Sequence, residues 1–144
     1  MKTTEEFKKD LAIMVEAGLV AIKQGDEDSA QKLFDAAKVL EPASSAPSMG
    51  YGLIALHKMD IAGAKNYFLQ ILKHEEDNYR AKAFLAFTNV LSILQSGARD
   101  EQKIEGLREG ARLAQEVLDK CREPSTRELA QSLLDWESEL QKGK

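Results

Sequence analysis

The fold of this chain is decided by residues 18–42, GLVAIKQGDEDSAQKLFDAAKVLEP, in which a small residue, a polar turn and an apolar-faced helix follow one another. Residues 52–76, GLIALHKMDIAGAKNYFLQILKHEE, present the same order again. Phe34 of the first stretch and Phe68 of the second are 34 residues apart (68 − 34 = 34). A period of this length, with two helices in each unit, predicts an array of helical repeats.

Each unit combines small residues with one large aromatic residue. Gly18 precedes the turn and Ala30 follows it, and their lack of bulk predicts that the two helices of a pair pack closely. Phe34 is then predicted to fill the wedge between successive pairs. The counterparts 34 residues later are Gly52, Ala64 and Phe68.

Helix-capping residues predict where the helices begin. Thr3-x-x-Glu6 and Ser125-x-x-Glu128 are capping boxes, which predict the starts of the first and last helices. Asp26 and Asp60 are the expected N-caps of the second and fourth helices. No segment alternates apolar and polar residues with β-branched enrichment, so no strand is predicted. The predicted helices cover about residues 3–24, 26–41, 44–58, 60–74, 78–95, 102–122 and 125–141.

The pattern of glycine, alanine and phenylalanine in these two units resembles the repeat motif of the tetratricopeptide-repeat family. In the second unit, Ile71 and Glu76 stand where the family motif has a small residue and a proline. The resemblance implies an all-α stack of helix-turn-helix pairs, with about three repeats and a C-terminal capping helix. The first unit matches the motif at Gly18, Ala21, Gly25, Ala30, Phe34, Ala37 and Pro42, and the second at Tyr51, Gly52, Ala55, Ala64 and Phe68.

The resemblance further implies a single tetratricopeptide-like domain over residues 1–144, with an irregular third repeat. The positions expected to carry its small residues, Ala98 and Gln102, fall in or beside the loop 96–100, and the next small residue that is assigned to this role is Ala111. We therefore expect an insertion of about a dozen residues in this pair. The predicted segments are repeat 1 at about 11–44, repeat 2 at about 45–78, repeat 3 at about 79–124 and the capping helix at about 125–141.

Composition and charge narrow the possible functions. The 144 residues are 43% hydrophobic and 31% charged, with a formal net charge of −4. This balance is ordinary for a globular protein and unfavourable for binding nucleic-acid phosphates. No stretch reaches the roughly 18–20 apolar residues that span a bilayer. The apolar run 11–22 contains Glu16 and is not followed by a cleavage site, so it is interpreted as a buried helix, and a cytoplasmic protein is expected.

No set of residues predicts catalysis. His57 and His74 have no further ligands at metal-binding spacing, and residues 26–28 lack the glycine and the distal glutamate of a calcium loop. The single cysteine, Cys121, lies on an apolar stripe, where a buried and inert thiol is expected. We therefore expect a protein that is not an enzyme and that uses neither a cofactor nor a bound metal.

The first helix is apolar nearly all round between residues 11 and 22, so it must be covered on several sides. In the tetratricopeptide family the first helix of each pair lines a concave groove, and the resemblance therefore implies an apolar groove. Such a groove suits an amphipathic helix or an extended apolar segment of a partner protein. Alternatively, the chain's own N-terminus, its last helix or a second copy covers this face. The implied groove residues are Ala12, Val15, Leu19, Ile22, Met49, Leu53, Leu56, Ala83, Phe87 and Val90.

Small size, acidity and groove polarity together resemble the bacterial type III secretion chaperones, which hold an aggregation-prone export substrate until it is secreted. The resemblance implies a chaperone for the needle subunit, a class that commonly includes a small helical co-chaperone. A chaperone for the translocators, a tetratricopeptide scaffold or assembly factor unrelated to secretion, and a regulatory subunit of an enzyme remain alternatives. Neither nucleic acid nor membrane insertion is expected, and a homodimer remains an open alternative to a monomer.

Overall fold

The computed structural model describes residues 3–97 and 100–142. Within these ranges every regular element is an α-helix, so the all-α prediction is confirmed for this part of the chain. The described residues form seven helices: α1 (Thr4–Lys23), α2 (Glu27–Leu40), α3 (Ala46–His57), α4 (Ile61–His74), α5 (Tyr79–Gln95), α6 (Asp100–Lys120) and α7 (Pro124–Lys142).

Side-chain caps determine where several helices begin. The Glu6 amide donates to the Thr3 hydroxyl (3.2 Å) and the Thr3 amide donates to the Glu6 carboxylate (3.1 Å), which confirms the first capping box. Asp26, Asp60 and Asn78 each accept a hydrogen bond from the backbone amide three residues ahead. These bonds satisfy amides that the first turn of a helix would otherwise leave unpaired.

The last helix begins at Pro124, one residue before the predicted capping box. Proline suits the first helical position because the amide that it lacks would have no partner inside the helix. The hydroxyls of Ser125 and Thr126 both donate to the Glu123 carboxylate. Ser125 therefore donates backwards to the residue before the helix, which differs from the cap expected from the sequence.

The first two helix pairs turn in the same way. Gly25, between α1 and α2, has φ +76°, and Met59, between α3 and α4, has φ +61°. The two residues are 34 positions apart (59 − 25 = 34). In both turns the next residue's amide donates to the carbonyl five residues back, at 2.8 Å, as in a Schellman C-cap. The 34-residue recurrence is therefore present in the backbone as well as in the sequence.

The chain divides into two compact units, Met1–Tyr67 and Phe68–Lys144. Unit 1 contains α1, α2, α3 and the first half of α4, and unit 2 contains the second half of α4 with α5, α6 and α7. The predicted single domain and the predicted repeat boundaries stay predictions.

Phe34 lies at the centre of unit 1. Its side chain is fully buried between Gly18 of α1 and Gly50 of α3. A Cβ atom on Gly18 would lie 2.6 Å from Phe34 Cζ, and one on Gly50 would lie 2.4 Å from Phe34 Cδ1. The sequence pattern predicts this role for Gly18 but not for Gly50. The buried cluster around the ring, called here the Phe34 cluster, consists of Ala21, Ala30, Phe34 and Ile54.

Tyr51 of α3 joins the Phe34 cluster to the surface of unit 1. Its ring meets Phe34 edge-on, with centroids 6.3 Å apart, and its hydroxyl donates to the Asp35 carboxylate at 2.6 Å. Burial and the adjacent Asp35 carboxylate raise the pKa of Tyr51. The phenol therefore keeps its proton and remains a hydrogen-bond donor between α3 and α2.

The core of unit 2 is built around small residues of α5 and α6. A Cβ atom on Gly106 would lie 1.7 Å from Ile93 Cδ1, and one on Gly110 would lie 2.9 Å from Val90 Cγ2. The two glycines therefore let α6 lie against Ile93 and Val90 of α5 without displacing these side chains. The buried residues of the cluster, called here the unit 2 core, are Ala83, Ala86, Ala114, Val117, Ala130 and Leu133.

In the third helix pair the close contact is made by residues other than the one expected. The sequence pattern assigns its close approach to Ala111, but Ala111 is only half-buried, and Gly106 and Gly110 make the contact instead. The predicted insertion of about a dozen residues stays a prediction. Ala98 itself lies outside the described residues. Gln102 lies in the first turn of α6, which begins at Asp100.

Charged side chains connect the start of α5 to α6 and to the α6–α7 junction. Arg80 Nη2 lies 2.7 Å from Glu123 Oε1, and Lys82 Nζ lies 2.6 Å from Glu116 Oε1. Hydrogen bonds from the hydroxyls of Ser125 and Thr126 lower the pKa of Glu123 from 4.5 to about 2, and Arg80 adds to this effect. The folded state therefore favours the ionised form of this carboxyl group.

Truncating Phe34 to Ala should lower the free energy of unfolding by about 3–5 kcal/mol, because it leaves a ring-sized cavity between two glycines that cannot fill it. Chemical denaturation of both proteins measures the difference. Val39→Ala is the control, since Val39 is 83% exposed in the same helix and its truncation should change stability little. Equal stability of Phe34→Ala and wild type would contradict the central position of this ring.

Replacing Met59 by Gly should raise the free energy of unfolding by about 0.5–1 kcal/mol, because a non-glycine residue at positive φ is strained. Met59 is 51% exposed, so the substitution removes little packing. Gly25→Ala at the matching position should lower stability by a similar amount. Thermal melts of both variants test the pair, and a destabilised Met59→Gly protein would show that side-chain packing outweighs the strain.

Stability should fall as the pH drops from about 4.5 to about 2, because protonating Glu123 removes an acceptor that the folded state favours in its ionised form. The contribution is complete above pH 4.5, the ordinary pKa of this group. Glu123→Gln should be less stable at neutral pH and should lose stability less steeply over this range. Glu128→Gln, which changes an exposed carboxylate in the first turns of α7, should follow the wild-type curve. Identical slopes for wild type and Glu123→Gln would refute this role.

Candidate protein-binding surface

Unit 1 places its predicted groove residues on two helices that touch. α1 packs against both α2 and α3. Spacings of three and four residues bring the predicted members onto one side of each helix. The members in α1 are Ala12, Val15, Leu19 and Ile22, and those in α3 are Met49, Leu53 and Leu56.

Five of these side chains are partly covered and partly wet. Val15, Leu19 and Ile22 pack against the Phe34 cluster and keep part of their surface in solvent. Leu53 and Leu56 of α3 are half-buried as well. These five residues are called the apolar strip. Partly exposed apolar side chains can be buried further against a partner, and their role in a groove stays a prediction.

The other two predicted residues of unit 1 differ from the strip. Ala12 is exposed and adds little apolar area. Met49 is only 8% exposed and belongs to the buried interior of unit 1. A partner that touches the surface of α3 would therefore meet Leu53 and Leu56 rather than Met49.

Unit 2 places its three predicted groove residues on α5 in a drier setting. Ala83 is fully buried and Val90 is 4% exposed. Phe87 is half-buried and packs against the unit 2 core, which includes residues of α6 and α7. In unit 2, helices that follow α5 in the same chain thus cover much of the apolar face that the sequence assigns to a groove.

Basic residues follow the apolar strip in sequence: Lys23 at the end of α1, and His57 and Lys58 at the end of α3. Glu27, at the start of α2, bridges two of them, with its carboxylate oxygens 2.9 Å from His57 Nδ1 and 3.6 Å from Lys58 Nζ. The hydrogen bond with His57 lowers the pKa of Glu27. His57 is therefore engaged in holding α3 to α2, whereas Lys23 at the end of α1 is exposed.

Residues 3–97 and 100–142 contain no group of three or more His, Cys, Asp and Glu side chains arranged to hold a metal ion. Over the same ranges, no helix combines the length and the apolar character needed to cross a membrane. Cys121 is half-buried and packs against the unit 2 core. Among protein families, curated proteins and solved structures, no match to this chain is found.

A second apolar surface on α1 lies outside the predicted groove. Ile13 is 63% exposed and Val20 is 50% exposed, and their spacing of seven residues places them on one face of the helix. The sequence carries a signal for this surface, because α1 is apolar nearly all round, but that signal does not say which apolar side remains open. Only the packing of α2 and α3 decides which side is covered.

Proposed function

We propose that this chain is a protein-binding chaperone of the tetratricopeptide type, which holds an apolar or amphipathic segment of a partner against α1 and α3. The observation that carries the proposal is the apolar strip of Val15, Leu19, Ile22, Leu53 and Leu56, which is partly wet and whose three α1 members pack against the Phe34 cluster. The recurring turns at Gly25 and Met59 support the repeat assignment, since a residue with positive φ follows α1 and α3 at positions 34 residues apart.

The apolar strip can contribute to binding by completing its burial. Fully covering an exposed Leu, Ile or Val contributes about 1.5–3 kcal/mol, and side chains that are already largely covered contribute only a minor fraction of that each. Part of this gain is offset by the loss of translational and conformational freedom on association. Aliphatic side chains without hydrogen-bonding groups favour an apolar face, and a helix supplies one at spacings of three and four residues.

The partner class follows from the resemblance to type III secretion chaperones. We propose that the partner is a secreted subunit, with the needle subunit first, held in the cytoplasm before export. A translocator is the alternative within this class, and an unrelated tetratricopeptide scaffold or assembly factor is the alternative outside it. The proposal assigns no reaction and no cofactor to the chain, because its residues act by covering an apolar segment.

Charged substitutions in the apolar strip should abolish partner binding while leaving the fold intact. In Leu19→Glu and Leu53→Glu a carboxylate would meet an apolar segment, where an unpaired charge is costly. Their half-burial predicts only a modest loss of stability. Lys32→Glu, on an exposed position of α2, is the matched control and should bind normally. Circular dichroism and co-purification from the native cells measure folding and binding.

Photo-crosslinking separates the possible partners. A photoreactive residue at Leu19 or Leu53 should label one protein, and the same residue at Lys32 should not. Mass spectrometry then distinguishes a needle subunit, a translocator and a protein unrelated to secretion. Folded Leu19→Glu and Leu53→Glu variants that still hold the partner would refute the strip as the binding surface. Outright unfolding of both variants would show that the strip is part of the core.

A further inference from the structure

The outer face of α1 is an apolar surface that residues 3–97 and 100–142 leave exposed. It consists of Ile13 and Val20, 63% and 50% exposed, with the exposed side chains of Lys9, Glu16 and Lys23 beside them. The three charged residues are seven positions apart, so they form a straight row along the helix with a spacing of about 10.5 Å. The row lies between Val20 and Ile13 on one side and the apolar strip on the other.

The equivalent face is closed in the helices that follow. The residues 34 positions after Ile13 and Val20 are Pro47 and Ile54 of α3 (47 − 13 = 34), and both are buried. Ile54 lies in the Phe34 cluster, which α2 supplies with its central ring. In α3 this face therefore receives a packed helix, whereas in α1 the same face has no such cover within unit 1.

A second copy of this chain fits the outer face poorly. The charge order of Lys9, Glu16 and Lys23 is positive, negative, positive in both directions, so full overlap of two α1 helices brings like charges together in either orientation. Sliding the helices by seven residues pairs Glu16 with a lysine but leaves either Ile13 or Val20 uncovered. Glu16 also stands 34 positions before Gly50 (50 − 16 = 34).

Because Glu16 of α1 matches Gly50 of α3, the outer face of α1 cannot accept a phenylalanine ring in the way that α3 accepts Phe34. The Phe34 ring packs directly on Gly50. A Cβ atom on Gly50 would lie 2.4 Å from Phe34 Cδ1, so no larger residue fits there. A glutamate at the matching position of α1 blocks a phenylalanine wedge from another copy. The charges of the outer face instead complement a helix with acidic, basic and acidic residues at seven-residue spacing and with apolar residues between them.

We propose that the outer face of α1 docks one amphipathic helix of a different protein, which it selects by the charge order of Lys9, Glu16 and Lys23. The complementary order reads the same in both directions, so the charges select the pattern of the partner and not its orientation. The apolar contacts with Ile13 and Val20 supply the cover that α3 receives from α2. The outer face is separate from the apolar strip. The docking proposal can therefore be refuted without refuting the proposed chaperone function, and the reverse.

Designed peptides test the charge order directly. A helical peptide of about 18 residues carries Glu, Lys and Glu at seven-residue spacing with leucines between them, and a scrambled peptide of the same composition carries Glu, Glu and Lys. Fluorescence anisotropy should show about tenfold tighter binding of the matched peptide at low ionic strength, with the difference reduced in about 0.5 M salt. Because both peptides have the same net charge, long-range attraction cannot produce the difference.

Variants of the full chain locate the binding. The triple exchange Lys9→Glu, Glu16→Lys and Lys23→Glu should bind a peptide with Lys, Glu and Lys and reject the original one. Ile13→Glu should lose both peptides, and Lys32→Glu, on an exposed position of α2, should bind them normally. Equal binding of matched and scrambled peptides, no measurable binding of either, or loss of binding in Lys32→Glu would overturn the proposal. Circular dichroism of each variant verifies that α1 remains folded.

Discussion

Unit 1 depends on one aromatic ring packed between two helices, each of which has a glycine at the point of contact with the ring. Phe34 of α2 reaches Gly18 of α1 and Gly50 of α3, and neither position has room for a Cβ atom. The ring therefore sets the spacing of three helices at once. Because protein interiors are close-packed, this spacing is also what presents one side of α1 and α3 to the core and the other side to solvent.

Much of the fold could be predicted from local sequence chemistry. Thr3, Asp26, Asp60 and Asn78 cap helices because short polar side chains satisfy amides of the first turn, and this requirement is visible without tertiary information. The 34-residue offset is equally visible, and the backbone repeats it at Gly25 and Met59. What local chemistry could not show is the positive φ of Met59, because methionine carries no preference for that conformation.

The candidate binding surface could be predicted only in part. Val15, Leu19 and Ile22 have the partial exposure that a groove requires, whereas Ala83 and Val90 of α5 are buried. Both sets share the same apolar spacing, so periodicity cannot separate them. The difference arises from α6, whose glycines Gly106 and Gly110 let it approach α5 closely. It also arises from α7, which adds Ala130 and Leu133 to the same core.

The unit 2 core has a composition that constrains how its sequence can vary. Four of its six buried residues, at positions 83, 86, 114 and 130, are alanines. An alanine side chain is a single methyl group, so substitution can hardly shrink it, and almost every available change adds volume. Overpacking a close-fitting interior typically costs about 1–3 kcal/mol. Related sequences should therefore drift mainly towards Gly or Ser at these four sites, while the larger aliphatic residues around them exchange with one another more freely.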